Sequence, residues 1–205
     1  MKRRTLDLVF SVGGLALAVL LLVLGLVLKN QADFAKNYVH DQMAQQAITF
    51  TPVQGLSPDE KKAPCLVSNA GKDLLTGKQA ECYANEYIAR HLREVNDGKT
   101  YSQTSNENRE LAGKLETAMK DDPESAATKA LQTQVDTVDA KVQTLFRGET
   151  LRGLLLTSYG FSIFGERAMQ AALVAFLAGL VLLVATVAGF VHALTTSEDE
   201  KVHLA

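Results

Sequence analysis

Residues 8–28 read LVFSVGGLALAVLLLVLGLVL, a run without a single charged side chain. A second uncharged run, AALVAFLAGLVLLVATVAGFV, occupies residues 171–191. Because an α-helix rises about 1.5 Å per residue, each run is long enough to cross the roughly 30 Å hydrocarbon core of a bilayer. The sequence therefore predicts two transmembrane helices, at residues 8–28 and 168–194, in a chain of 205 residues.

The first run is interpreted as an uncleaved signal anchor that fixes the orientation of the chain. Its apolar part is longer than that of a usual signal peptide, and no small-x-small cleavage site follows it. Residues 2–4, Lys-Arg-Arg, precede it, and positively charged flanks stay in the cytoplasm. We therefore expect a plasma-membrane protein with residues 1–7 and the tail 195–205 in the cytoplasm, and residues 29–167 outside.

Cys65 and Cys82 are the only cysteines in the chain. Thiols outside the cytoplasm are generally oxidised, so the predicted orientation favours a disulfide between them. Their spacing does not match the C-x2-4-C pattern of a zinc site, and a catalytic redox pair would normally read C-x-x-C. We therefore predict that this disulfide is structural.

Residues 29–167 show helical periodicity and no strand-like alternation of comparable length. The first helix is predicted to continue outward to about residue 48. The segment 51–76, whose first half is rich in proline, is predicted to be a linker. A second helix is expected over residues 77–99, where turn-forming residues end it.

Two further helices are predicted from their start signals. Thr104 and Glu107 match a capping box, and Asp122 can act as the N-cap ahead of Pro123. The last of these helices carries the clearest apolar repeat, in steps of four and three residues: Leu131, Val135, Val138, Val142 and Leu145.

Such a repeat is typical of the seam of a helical bundle. The predicted fold class is all-α, with two transmembrane helices flanking an extracytoplasmic antiparallel four-helix bundle that contains one disulfide. The seam is expected to face the outer part of the first helix, near Val39 and Met43.

Residues 148–167 are strongly apolar but contain Gly153, Gly160 and Gly165 next to the charged residue Glu166. The glycines and the charges of Glu166 and Arg167 favour an interfacial elbow that lies near the outer headgroups before the second span. The alternative is that the segment extends the second span as one long, tilted helix.

Two segments, GKQAECYANEYIARHLREVNDGKTYSQTS (77–105) and RGETLRGLLLTSYGFSIFGERA (147–168), resemble two-span membrane proteins common in actinobacteria. Those proteins share a YA-x-x-YI-x-x-HL helix, a GKTYSQ-like turn and an LRG-x-LL-x-x-YG-x-x-x-x-G elbow. The match covers about a quarter of the chain directly, and the shared topology covers the rest. The resemblance implies a two-span topology and, because the family has no established activity, it implies no reaction.

Tyr83, Tyr87, His91 and Glu94 recur along one side of the predicted second helix. They fit a ligand-binding stripe, with aromatic surface and a titratable group. They also fit a half-buried flank of the apolar core, and this structural interpretation is favoured because Tyr and His are residues of intermediate burial.

His40 with Asp41, and His91 with Glu94, have side chains of metal-ligating types. No helix carries a His-x-x-x-His pair, so no metal site and no cofactor are predicted. No G-x-S-x-G, H-E-x-x-H or phosphate-binding glycine loop occurs either.

Small residues at fourfold spacing mark the two apolar runs. Such residues let helices approach closely, so they can pack the two spans on each other or on the spans of a partner. They are Gly14, Ala18, Ala171, Ala175 and Gly179.

The formal net charge of -2 gives no sign of a nucleic-acid partner. The expected partners are the lipid bilayer and a protein, or a second copy of the chain. We therefore expect a non-enzymatic membrane anchor that presents a helical bundle as an accessory or interaction subunit of a membrane or cell-envelope complex. The alternative is an extracytoplasmic ligand-sensing module that signals through a partner protein.

Overall fold

The computed structural model describes residues 2–197, so the predicted tail lies mostly outside the described residues. Regular structure in this range is helical, and an isolated antiparallel bridge joins Thr49 to Asp73. The all-α prediction is confirmed. The helices are α1 (Arg3–Gln46), α2 (Pro64–Asn69), α3 (Gly77–Cys82), a π-helical segment (Tyr83–Ile88), α4 (Ala89–Val95), α5 (Tyr101–Asp121) and α6 (Ala126–Thr195), with short 3-10 turns at Val53–Gly55 and Glu60–Lys62.

The chain divides into two compact units. We call Met1–Tyr38 with Ile163–Ala205 the span unit, and Val39–Ser162 the core unit. Helices α1 and α6 are each long and apolar enough to cross a membrane. In the most apolar window of each, only 17% and 22% of the residues are buried, whereas the core helix of a soluble protein would be mostly buried. Both helices are therefore candidate membrane spans.

Within the span unit the two helices approach closely at small residues. A Cβ added to Gly14 would lie 2.7 Å from the Thr186 hydroxyl oxygen, and one added to Gly179 would lie 3.4 Å from the Ala18 carbonyl oxygen. These close approaches are thus made between α1 and α6 of one chain. Further contacts that the sequence analysis did not single out involve Ser11 with Gly189, Gly25 with Phe176, and Ala35 with Gly165.

One residue of the predicted packing set needs correction. Ala175 is buried, but Ala171 is exposed and its neighbour Ala172 is fully buried instead. A shift of one residue turns a helix face by about 100°, so fourfold spacing alone does not choose between adjacent alanines.

The core unit is built around a buried hydrophobic cluster. The end of α1, the segment between α1 and α3, the π segment, α4 and α6 all contribute to it. The disulfide between Cys65 and Cys82 is confirmed, with Cα atoms 6.0 Å apart, and joins α2 to the end of α3. The buried members are Val39, Met43, Phe50, Leu56, Ala63, Leu66, Leu74, Ala80, Cys82, Ala84, Ile88, Leu92, Leu145 and Leu155.

The segment 51–76 is not the linker that its prolines suggested. It contains α2 and both 3-10 turns, and Leu56, Leu66 and Leu74 are at most 4% exposed. Burial of each of these three side chains stabilises the fold by roughly 1.5–3 kcal/mol. This stabilisation outweighs the turn-forming tendency of the prolines in the segment.

The predicted elbow at residues 148–167 is absent, because α6 runs through it as one unbroken helix. Gly148 fits there because Leu92 packs where its Cβ would lie, and Gly153 and Gly160 have no neighbour within 4 Å of that position. A glycine costs a helix about 1 kcal/mol relative to alanine, too little to break a helix this long.

The starts of α5 and α6 also differ from prediction. Thr100 and Gln103 form the capping box of α5, and Thr104 lies inside the helix. Ser125, not Asp122, caps α6, because its hydroxyl accepts a hydrogen bond from the Thr128 N–H at 3.1 Å. Both errors are shifts of three or four residues, since several Thr, Ser and Asp side chains compete as caps in these stretches.

Helix α5 and the first part of α6 form a helical hairpin. Asn108 donates to Asp139 across it at 3.2 Å, and the rings of Tyr101 and Phe146 lie 5.7 Å apart. Thr104 is the one buried residue of α5. The hairpin therefore adds no α5 side chain to the hydrophobic cluster.

This arrangement departs from the predicted contact between the α6 seam and α1. Leu155 shares the core cluster with Val39 and Met43, whereas Val138 lies about 26 Å farther along α6, where α1 has already ended. Val138 instead lines a groove with Leu111 of α5. The apolar repeat of α6 thus serves two different neighbours along its length.

Candidate functional site

The best-defined cluster of aromatic and titratable side chains lies on the π segment and α4. The capping box of Thr76 and Gln79 starts α3, and Cys82 ends it at the disulfide. The next six residues, Tyr83–Ile88, form a π-helical segment. Such segments are rare and are found frequently at functional sites.

Three side chains of the predicted stripe form a continuous column. The ring centroids of Tyr83 and Tyr87 lie 4.7 Å apart and stacked, and those of Tyr87 and His91 lie 4.4 Å apart. Phe50 meets Tyr83 edge-on at 5.3 Å, so the column starts at the hydrophobic core. Burial, followed by the neighbouring Tyr87, raises the pKa of Tyr83, which stays a neutral phenol.

The fourth predicted member of the stripe, Glu94, is exposed and lies outside the column. His40 contacts its own neighbour Asp41 at 3.2 Å on the exposed surface of α1. In residues 2–197 no three His, Cys, Asp or Glu side chains come close enough to hold a metal ion.

Glu60, which the sequence analysis did not single out, faces the end of this column. It is 6% exposed, and its Oε1 lies 3.8 Å from His91 Nε2. Its Oε2 accepts a hydrogen bond from the Ser57 N–H at 2.7 Å, while the Ser57 hydroxyl accepts from the Glu60 N–H. The reciprocal pattern Ser-x-x-Glu was the signal available in the sequence, but it lay in the segment predicted to be a linker.

The pKa of Glu60 is lowered below its ordinary value. The main cause is the Ser57 N–H, which stabilises the carboxylate against the opposing effect of burial. The charges of His91 and Arg90 act in the same direction as Ser57. Glu60 is therefore a buried anion at neutral pH, held beside an imidazole.

A groove of about 520 Å³ lies over the disulfide. Its walls are mainly amides and charged groups, and several bond one another: Asn69 accepts from Gln79 at 3.2 Å, and Lys78 donates to Glu81 at 3.3 Å. Lys78 also donates to the Tyr159 hydroxyl at 3.1 Å, which raises the pKa of Lys78. The lining residues are Cys65, Asn69, Thr76, Lys78, Gln79, Glu81, Cys82, Asn85 and Glu86.

The buried side chain of Asn96 holds the GKTYSQ turn in place. Its amide donates to Thr104 and Glu107 at 3.1 and 3.2 Å, and its carbonyl oxygen accepts from Lys141 of α6 at 2.9 Å. Lys99 also donates to Glu107 at 2.8 Å, and this hydrogen bond is the main reason why the pKa of Glu107 is lowered. The turn therefore fixes the base of the hairpin through polar contacts.

Fold and site together describe a helical protein with two candidate membrane spans and a disulfide-linked core unit. Comparison of the chain with protein-family models, with curated proteins and with solved structures finds no match.

Proposed function

We propose that this protein is a non-enzymatic membrane anchor whose core unit lies outside the cytoplasm and docks a partner protein, as an accessory subunit of a membrane or envelope complex. The observation that carries the proposal is an exposed apolar face on α6, defined by Phe146, Leu154 and Phe161. Leu154 is 62% exposed, Phe146 52% and Phe161 38%. Exposed apolar patches of this kind mark interaction sites.

The backbone of this face is open to close approach. Gly153 and Gly160 lie beside Leu154 and Phe161, and no atom comes within 4 Å of the place where a Cβ would be. The hydroxyls of Thr150 and Thr157 donate back to carbonyl oxygens of their own helix at 2.7 and 2.9 Å. A docking helix would therefore meet an apolar surface on which these two hydroxyls already have hydrogen-bond acceptors.

Replacement of Leu154 by Glu tests the docking face in the full-length protein. A charge in the middle of an apolar interface costs several kcal/mol, so the complex recovered in mild detergent should lose its partner. Met119→Glu on α5 is the matched control, because Met119 is 48% exposed and lies outside the face.

The readout is the mass and composition of the purified complex, with circular dichroism to verify that each variant is folded. A folded Leu154→Glu protein that co-purifies with the same partner, in the same amount as wild type, would exclude this face as the docking surface.

A ligand-sensing role is the second candidate, and the groove over the disulfide favours it. The volume of about 520 Å³ is within the range of ligand sites, and Asn85, Glu81 and Glu86 supply amide and carboxylate groups there. Thermal melting of the full-length protein with a panel of neutral sugars and short peptides tests this role. A stabilising compound whose effect disappears in Asn85→Ala supports sensing, and a panel without effect removes the support.

A further inference from the structure

The carboxylate of Glu60 is buried with one oxygen unpaired. Among the residues that the structure describes, Oε1 has no hydrogen-bond partner, whereas Oε2 is held by the Ser57 N–H. A buried charged acceptor without a partner costs more free energy than a neutral one. An occupant that supplies a hydrogen to Oε1 would remove that cost.

His91 faces this oxygen with the nitrogen that cannot supply a hydrogen in the neutral ring. Its Nδ1 lies 2.9 Å from the Tyr87 carbonyl oxygen, and because a carbonyl only accepts, the hydrogen of the neutral ring belongs on Nδ1. Nε2 is then an acceptor, 3.8 Å from Glu60 Oε1. Two acceptors that face each other are bridged by one proton.

We propose that His91 and Glu60 form a proton-operated contact, which closes under mildly acidic conditions and holds the 3-10 turn Glu60–Lys62 against α4. A proton taken from the solvent forms one N–H bond on Nε2 and makes the ring a cation. A closure of about 1 Å then brings Nε2 within charge-assisted hydrogen-bond distance of Oε1. No other bond changes, and deprotonation reverses the step.

Charged groups of both signs lie on the elements around this pair. Carboxylates lose their proton well below neutral pH, and Lys and Arg lose theirs well above it. The neighbouring groups are partly paired: Asp59 with Lys62 at 2.6 Å, Glu86 with Arg90 at 2.6 Å, and Glu149 with Arg152 at 3.2 Å. The charged groups on or next to the 3-10 turn, on the π segment and on α4 are Asp59, Lys61, Lys62, Glu86, Arg90, Arg93 and Glu94, and α6 adds Glu149 and Arg152 close to α4.

The sign of the effect follows from proton linkage. The folded chain offers the proton on His91 a buried anion, and the unfolded chain offers it only water. Unfolding separates the two groups, so the proposed contact adds stability only where it is closed, on the acidic side, and this stability is lost as the pH rises.

Thermal melting of the full-length protein in detergent at pH 7.5 and pH 5.5 tests the proposal. The wild type should melt about 2–4 °C higher at pH 5.5, and His91→Gln and Glu60→Gln should lose most of that rise. Since Asp7 and His192 form a second contact between a histidine and a carboxylate, at 2.9 Å in the span unit, each variant is compared with wild type. His40→Gln is the control for the exposed contact of His40 with Asp41 at 3.2 Å, and it should lose less of the rise than His91→Gln because an exposed ion pair contributes little.

A rise that His91→Gln retains in full, or a wild type that melts at the same temperature at both pH values, would overturn the proposal. If Glu60→Gln does not fold, nuclear magnetic resonance of the wild type decides the matter. The amide signals of Ser57 and Glu60 should then titrate together with the imidazole of His91, and amide signals that do not move with the imidazole would equally reject the contact.

Discussion

At the scale of single residues, the glycines of α6 have different reasons to be there. Gly148 lies where Leu92, which is 8% exposed, packs against the helix backbone and leaves no room for a Cβ. Gly153 has open space at the same position. One glycine is therefore required by the packing of the core unit, and the other is not.

Alanine substitutions at these two positions should change stability in opposite directions. Gly148→Ala should destabilise the core unit by about 1–3 kcal/mol through overpacking, and Gly153→Ala should stabilise it by up to about 1 kcal/mol. Chemical unfolding of the full-length protein, followed by circular dichroism, measures both. Equal effects of the two substitutions would contradict the close contact between Leu92 and Gly148.

Single residues also mark the limit of what sequence patterns predict. The spacing rule identified the close approach of small residues in the apolar runs but selected Ala171 where Ala172 is buried. Glu60 was missed because it lies in the segment predicted to be a linker, and its neighbour His91 on α4 is distant in sequence. Local sequence patterns show the periodicity of a helix, whereas tertiary structure determines which residue a side chain contacts across the core.

At the scale of elements, the hairpin of α5 and α6 is stabilised by polar and apolar contacts of its own. Asn96 fixes its base through Lys141 and Thr104, and Val138 faces Leu111 farther out. The hairpin should therefore open separately from the hydrophobic cluster.

Replacement of Val138 by Asp should unfold the hairpin and leave the cluster folded. Val138 is 8% exposed, and a buried charge without a partner costs about 3 kcal/mol or more. Hydrogen exchange should increase over 101–121 but not over 77–95. The exposed Asp136→Asn is the control and should be silent, and a Val138→Asp protein that exchanges at the same rate as wild type throughout would rule out the hairpin.

The disulfide should act as one bond between two elements. In the chain-entropy model a loop closed over a sequence separation of 17 contributes about 3 kcal/mol. Cys65→Ala and Cys82→Ala should each lower the melting temperature by several degrees, and the double variant should lose little more. Losses that add up in the double variant would indicate two separate roles.

The elements were predicted unevenly from the sequence. The apolar runs, the all-helical class and the disulfide followed from composition, periodicity and cysteine count. The segment 51–76 was misassigned because proline content carries no information about burial. The elbow at 148–167 was wrong because glycines signal a break, while hydrogen bonds along α6 and contacts such as Gly148 with Leu92 keep the helix intact.

At the scale of the whole molecule, the basic residues 2–4 predict that the termini are cytoplasmic and the core unit is outside. Cysteine labelling tests this, because the only native cysteines are joined in the disulfide. Ser102→Cys on exposed α5 should react with an impermeant maleimide on intact cells. Ser197→Cys should react only after lysis, and the reverse pattern would invert the orientation.

The π segment has a consequence for changes in chain length. A π turn accommodates one more residue than an α turn, so Tyr83–Ile88 can be regarded as the site of a one-residue insertion in a longer α-helix. Deletion of the exposed Asn85 would return this stretch to an α-helix and leave the buried faces on both sides in register. Deletion of Arg93 would instead rotate everything after it by about 100°. Homologous chains that differ by a single residue here should therefore share the same core and differ in whether their aromatic column can stack.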